Sequence, residues 1–201
     1  MDDVGLAGHT APPSPDRAVA WPRLLHRWLA GTLEPLWAEV LAWCRASAAA
    51  ACVPFDRALA AEHRTLSPSD FGFHNAIRRP DGTLAFVDFE YFGWDDPAKT
   101  LVDFVLHPGM MLPPNLAQIF VARFVSAFGD DQLAERARLV YPLFGLKWCT
   151  IVLNDFLPGR QTIGPAPGGE DAAGTRLRQL AKAGAMADRI ARDYRDNPVF
   201  A

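Results

Sequence analysis

The chain has 201 residues, 50% of them hydrophobic and 21% charged, the composition of a globular protein able to bury a core, which excludes a disordered, collagen-like or coiled-coil chain. Twenty Lys and Arg against 23 Asp and Glu leave a net charge of −3, so no basic surplus points to nucleic acid or to anionic lipid. The start, MDDVGLAGHT, is acidic and lacks an apolar core, unlike a cleaved signal, and no run reaches the roughly 18 apolar residues of a membrane span. These features predict a soluble, cytoplasmic protein with no nucleic-acid or membrane partner.

Residues 1–20, with Pro12, Pro13 and Pro15 among small and polar residues, read as a flexible leader or linker. Residues 21–201 then form one domain. From Trp21 to Ala51 the apolar positions recur at helical spacing with a break at Pro35, predicting a hairpin of two helices. Asp56 is expected to cap a short helix through RALAAEHRTL that ends at Ser67-Pro68-Ser69. Between Asn75 and Phe89 the pattern changes to strand, turn, strand, with Pro80-Asp81-Gly82 at the turn. Helices follow near 97–107, 114–129 and 131–155, the first two entered through Asp96-Pro97 and Pro113-Pro114. A Gly/Pro-rich loop covers 158–169, and a last amphipathic helix runs over about 175–194. The expected fold is mainly α with one small β-hairpin, an α+β chain. Cys44, Cys52 and Cys149 have no C-x-x-C spacing and read as small core residues.

The hairpin is bracketed by an acid and an amide, Asp70 and Asn75 in SPSDFGFHN, and closed by Asp88 in FVDFEYFGWDDPAKT. In kinase-type phosphoryl transfer an Asp orients and deprotonates the acceptor hydroxyl, and an Asn five residues on ligates metal. A second Asp at the end of a following hairpin holds Mg²⁺ against the nucleotide phosphates. Asp70, Asn75 and Asp88 stand at those places. A short rigid hairpin folds its two ends together, so the Asn oxygen and the second carboxylate can share one hard cation. Taken singly, each of these residues is also an ordinary turn or strand-end polar group.

On these motifs the chain resembles the aminoglycoside phosphotransferase and choline kinase group. Their catalytic loop reads H-x-D-x-x-x-x-N, and their metal segment I-D-[FW]-x is followed by x-G-x-x-D-P-A. Here P-S-D-F-G-F-H-N stands at 68–75 and V-D-F-E-Y-F-G-W-D-D-P-A at 87–98. The resemblance implies a protein-kinase-like C-terminal lobe over residues 21–201, with Asp70 as catalytic base and Asn75 and Asp88 as Mg²⁺ ligands. It also implies Mg²⁺ and ATP as cofactors and a small-molecule hydroxyl as acceptor. Glu90 is a candidate supporting carboxylate beside Asp88, and His74 a candidate substrate or phosphate contact. Asp95, Asp96 and Glu90 make an acidic rim that could attract a cationic acceptor or be only a solvated surface. The aromatics Phe86, Phe89, Tyr91, Phe92 and Trp94 read mainly as core joining hairpin to helices, and His107 as a helix-end residue.

The chain departs from the pattern at two places. Pro68 stands where the group has His. Upstream, residues 1–69 contain no lysine, the first of the three being Lys99, and carry no G-x-G-x-x-G loop. The β-rich nucleotide lobe is therefore expected to be absent, and phosphoryl transfer to require a separate nucleotide-binding lobe. Asp70-Phe71-Gly72 spells the D-F-G of protein kinases, but that reading requires a D-x-x-x-x-N loop upstream, and Asp56 finds Ala61 five residues on. Two further readings stay open: a kinase-derived binding module that has lost phosphoryl transfer, and a helical scaffold with no ligand.

Overall fold

In the computed structural model, residues 15–110, 112–157 and 172–200 are described. The chain is mainly helical with two small antiparallel β pairs, an α+β architecture. No helix among the described residues is long and apolar enough to cross a membrane.

Helix α1 (Pro15–Trp28) starts inside the segment that composition marks as a leader. It runs through a π-helical turn (Leu29–Leu33) into α2 (Glu34–Ala50). The expected hairpin of two helices is therefore replaced by one continuous helical path. Pro35 lies in the first turn of α2, where its missing N–H costs little, and the π turn absorbs the offset by letting the Glu34 N–H reach back to Leu29 O.

Helix α2 ends in a Schellman motif. The Cys52 N–H donates to Ala49 O (3.3 Å) and the Val53 N–H to Ala48 O (2.9 Å), with Cys52 at φ 55° in the place glycine usually takes. That cap turns Cys52 out to solvent, against its expected core position, whereas Cys44 and Cys149 are buried. The predicted helix through RALAAEHRTL does not form. Asp56 is exposed and pairs instead with Arg45 (3.5 Å), and the segment holds only a 3₁₀ turn (Ala61–His63) before strand β1 (Thr65–Ser67).

Strands β2 (Ala76–Arg78) and β3 (Leu84–Phe86) pair antiparallel about Gly82, at φ 87°, as the sequence predicts. A second pair joins β1 to β4 (Gly93–Asp95) in the register Thr65↔Asp95, Leu66↔Trp94 and Ser67↔Gly93. Both pairs are only two strands wide, so one face of each stays open. Phe89, Tyr91, Phe92 and Trp94 are accordingly exposed rather than in the core, and only Phe86 packs inward, its ring 4.7 Å from that of Phe71.

Helix α3 (Pro97–Leu106) is the centre of the molecule: every residue of it is buried except Lys99, which is half-buried. Asp96 caps it, accepting from the Ala98 N–H (2.8 Å), with Pro97 at the first helical position. Helices α4 (Pro114–Phe128) and α5 (Leu133–Val152) pack on it, and α6 (Ala172–Asp193) packs on α5. Leu101, Val102, Tyr141, Leu146 and Ile190 are among their fully buried side chains. Helix α4 stops at Gly129 in the left-handed region, φ 60°. The Gly/Pro-rich loop expected over 158–169 lies outside the described residues.

Candidate functional site

The site is built at the end of β1 and the mouth of the β2–β3 hairpin. After Ser67 the chain turns sharply: the Asp70 N–H donates to Pro68 O (2.8 Å) across Ser69, whose φ is 63°. An i to i+2 hydrogen bond over a residue of positive φ is the rare, strained form of the γ-turn. It presents Asp70, half-buried, toward Asn75. The Asn75 side chain donates from Nδ2 to Asp70 O (3.0 Å) and to Asp70 Oδ2 (3.3 Å).

Asp88 reaches the same place from the other end of the hairpin. The Val87 N–H donates to Asn75 O (2.9 Å), so Asp88 follows directly on the residue that pairs with Asn75. Its φ of 66° bends the chain out of strand β3. Ser69 and Asp88 are two of only three described non-glycine residues with positive φ, and they flank the two ends of this site. Backbone strain of this kind costs about 1–3 kcal/mol per residue and concentrates where function requires a fixed geometry.

Two histidines complete the surroundings of Asp70. His74 donates from Nε2 to Asp70 Oδ1 (3.0 Å). His107, the C-terminal cap of α3, stacks on it with ring centroids 4.0 Å apart and planes 6° from parallel. The Gly109 N–H donates to His107 Nδ1 (3.1 Å), so the neutral ring carries its proton on Nε2, which faces Asp70 Oδ1 at 3.9 Å. Burial holds His107 below the ordinary histidine pKa, and the neighbouring His74 charge adds to this against the pull of Asp70. Gly72 makes room for the stack: a Cβ there would lie 2.4 Å from His74 Cε1. The His107 signal was not visible in sequence, since nothing local ties a histidine 37 positions downstream to Asp70.

Asp95 and Asp96 are placed differently. Lys99 pairs with the Asp95 carboxylate, and Arg136 donates to Asp96 (3.1 and 3.2 Å) and to Asp130 (2.9 Å). Their charges are met within the fold, so they offer no free acidic rim. Both border a cavity of about 570 Å³ whose lining includes none of Asp70, Asn75 and Asp88. Glu90, like Asp88, is exposed, and neither has a hydrogen-bond or ion-pair partner among the described residues.

Two donor sets could hold a metal. Asp70, His74 and His107 offer atoms within 4.8 Å of one another. That set is a poor cage, because the Gly109 N–H already occupies His107 Nδ1. The parallel stacked rings also cannot both aim their in-plane lone pairs at one ion. Asn75 and Asp88 carry donors of the kind a hard cation takes. With Nδ2 turned to Asp70, Asn75 keeps its Oδ1 for a cation, and the Asp88 carboxylate is unengaged, so both donors are oxygens.

Comparison with protein-family models, curated proteins and solved structures finds no match for the chain.

Proposed function

We propose that the chain is the catalytic and acceptor-binding lobe of a phosphotransferase of the aminoglycoside phosphotransferase and choline kinase-like group. In this reading it phosphorylates a hydroxyl of a small molecule. The observation that carries the reading is the convergence of Asp70, Asn75 and Asp88 at one hairpin mouth, with Asn75 hydrogen-bonded to Asp70 and strained backbone at Ser69 and Asp88. Convergence of those residue types is what a turn-capping role for each alone does not require.

In the proposed roles Asp70 orients the acceptor hydroxyl and takes its proton, one carboxylate oxygen being fixed by Asn75 and the other by His74. Asn75 Oδ1 and the Asp88 carboxylate would hold Mg²⁺. Mg-ATP, when bound, supplies the phosphoryl group and the charge neutralisation. Positioning supplies most of the rate in such reactions, so the fixed carboxylate is the chain's main contribution. The residues that grip the nucleotide belong, in this proposal, to a separate nucleotide-binding lobe. A cytoplasmic setting, where ATP is present, is part of the same proposal.

A second reading, a kinase-derived binding module without phosphoryl transfer, is favoured by the engagement of both Asp70 oxygens, Oδ1 by His74 and Oδ2 by Asn75. The experiment that separates the two supplies the full chain with γ-labelled ATP, Mg²⁺ and a panel of amino-sugar and amino-alcohol acceptors, beside Asp70→Asn. Label transferred by the wild type and lost in the variant supports the enzyme. Acceptor binding by both proteins, with no Mg²⁺-dependent stabilisation of either, supports the module.

A further inference from the structure

We infer that Lys99 and Thr100, adjacent in the first turn of α3, clamp the strained turn at Ser69 and thereby aim Asp70, which makes Lys99 a positioning residue. The inference rests on the phosphotransferase reading only for its consequence in catalysis.

A positive-φ turn at a serine needs surroundings that over-determine it. Three hydrogen bonds converge on this one. The Ser67 and Thr100 hydroxyls bond to each other (2.8 Å) in a buried contact that fixes the last residue of β1 to α3. The Ser69 N–H then donates to Ser67 Oγ (3.1 Å). Lys99 donates from Nζ to Ser69 Oγ (3.1 Å). The two sides of the turn are thus tied to consecutive residues of one helix.

That helix is a rigid anchor. Lys99 is its one residue not buried, and the start of α3 is held by the Asp96 cap and by Arg136 across from it. The lysine is itself fixed between the Asp95 carboxylate and the Ser69 hydroxyl, so its position is set from both sides. Pro68, between the two serines, has no N–H and no polar side chain to contribute. Asp70 sits one peptide beyond the clamp, and its N–H closes the turn onto Pro68 O. Releasing the Ser69 hydroxyl lets the turn relax toward negative φ, which swings the Asp70 peptide and the carboxylate it carries.

The test compares full-length wild type, Lys99→Met and Lys99→Arg by amide hydrogen exchange at Asp70 and by thermal unfolding. Loss of the clamp lowers Asp70 amide protection by about tenfold or more in Lys99→Met, while Lys99→Arg stays within about threefold of wild type and global unfolding is little changed. Unchanged Asp70 protection in Lys99→Met overturns the clamp, as does an equal loss in Lys99→Arg. Where wild-type phosphotransfer is measured, Lys99→Met lowers kcat by about 10- to 100-fold with KM for Mg-ATP preserved, and Lys99→Arg recovers part of it. A loss confined to KM contradicts the positioning role. Where the chain transfers no label without a separate nucleotide-binding lobe, the exchange measurement decides the clamp alone.

Discussion

The Asn75 side-chain amide donates to both the backbone carbonyl and the carboxylate of Asp70, at 3.0 and 3.3 Å. One amide thus fixes the start of the hairpin and the orientation of the candidate base, and leaves its own oxygen for a cation. Replacing it separates these duties. Asn75→Ala leaves the Asp70 carbonyl unpaired and is expected to cost about 1–2 kcal/mol of stability. Asn75→Asp sets a second carboxylate beside Asp70, and like charges then favour protonation of one of them. Thermal unfolding and phosphotransfer of both variants check this, with Asn75→Asp expected to lose transfer most steeply below neutral pH.

Asp88 adopts φ 66°, a conformation glycine takes without penalty and alanine does not. Asp88→Gly is expected to keep or slightly raise stability, whereas Asp88→Ala is expected to lose about 1 kcal/mol. Denaturant unfolding of the two variants measures the difference. A gain in the Asp88→Gly variant would mean the native aspartate is kept at a cost to stability, as a residue retained for chemistry is.

The Asp96–Arg136–Asp130 network predicts an acid-sensitive fold. Burial raises the Asp130 pKa, but the hydrogen bond from Arg136, the Gln132 N–H and the Arg136 and His63 charges outweigh it and hold the carboxyl below its ordinary value. A carboxylate depressed in the folded state contributes stability that is present above its unfolded pKa, about 4, and is lost as pH falls through the lower folded value. Arg136→Met is expected to cost about 3 kcal/mol near neutral pH, because it removes the guanidinium shared by Asp96 at the start of α3 and Asp130 in the α4–α5 turn. The same variant should flatten the loss of stability below pH 4, which unfolding curves across pH 3–7 will show.

Gly145 lets α5 and α6 approach closely: a Cβ there would lie 2.3 Å from Cδ1 of the fully buried Ile190. Gly145→Ala is therefore expected to lower stability by about 1–3 kcal/mol despite alanine's better helix propensity. Truncating the partner in Gly145→Ala/Ile190→Ala should cost less than the sum of the single changes, measured by equilibrium unfolding.

Much of the helical frame was legible in the sequence because its signals are local. Asp96-Pro97 and Pro113-Pro114 mark the starts of α3 and α4, and Pro80-Asp81-Gly82 marks the hairpin turn. Pro35 misled because a π turn can absorb a proline that spacing reads as a break. RALAAEHRTL misled because alanine-rich composition has no apolar face to bury there, and β1 pairs instead with a strand 28 residues on, in the register Thr65↔Asp95. Spacing singled out Asp70 and Asn75, which the fold joins by hydrogen bonds, and Asp88, next to the residue paired with Asn75. His107 and Lys99 were not singled out, since each meets the loop only through the docking of α3, a tertiary contact that no short pattern encodes.

The proposal depends most on Asn75 and Asp88 forming a working Mg²⁺ site beside Asp70. Titrating Mg²⁺ into the chain and into Asp88→Asn while following thermal unfolding tests it directly. A ligand at 100 times its dissociation constant adds about 2.7 kcal/mol to the folded state. A Mg²⁺-dependent rise in Tm is expected for the wild type and is lost in Asp88→Asn. An equal rise in both proteins, or no rise in either, would contradict it.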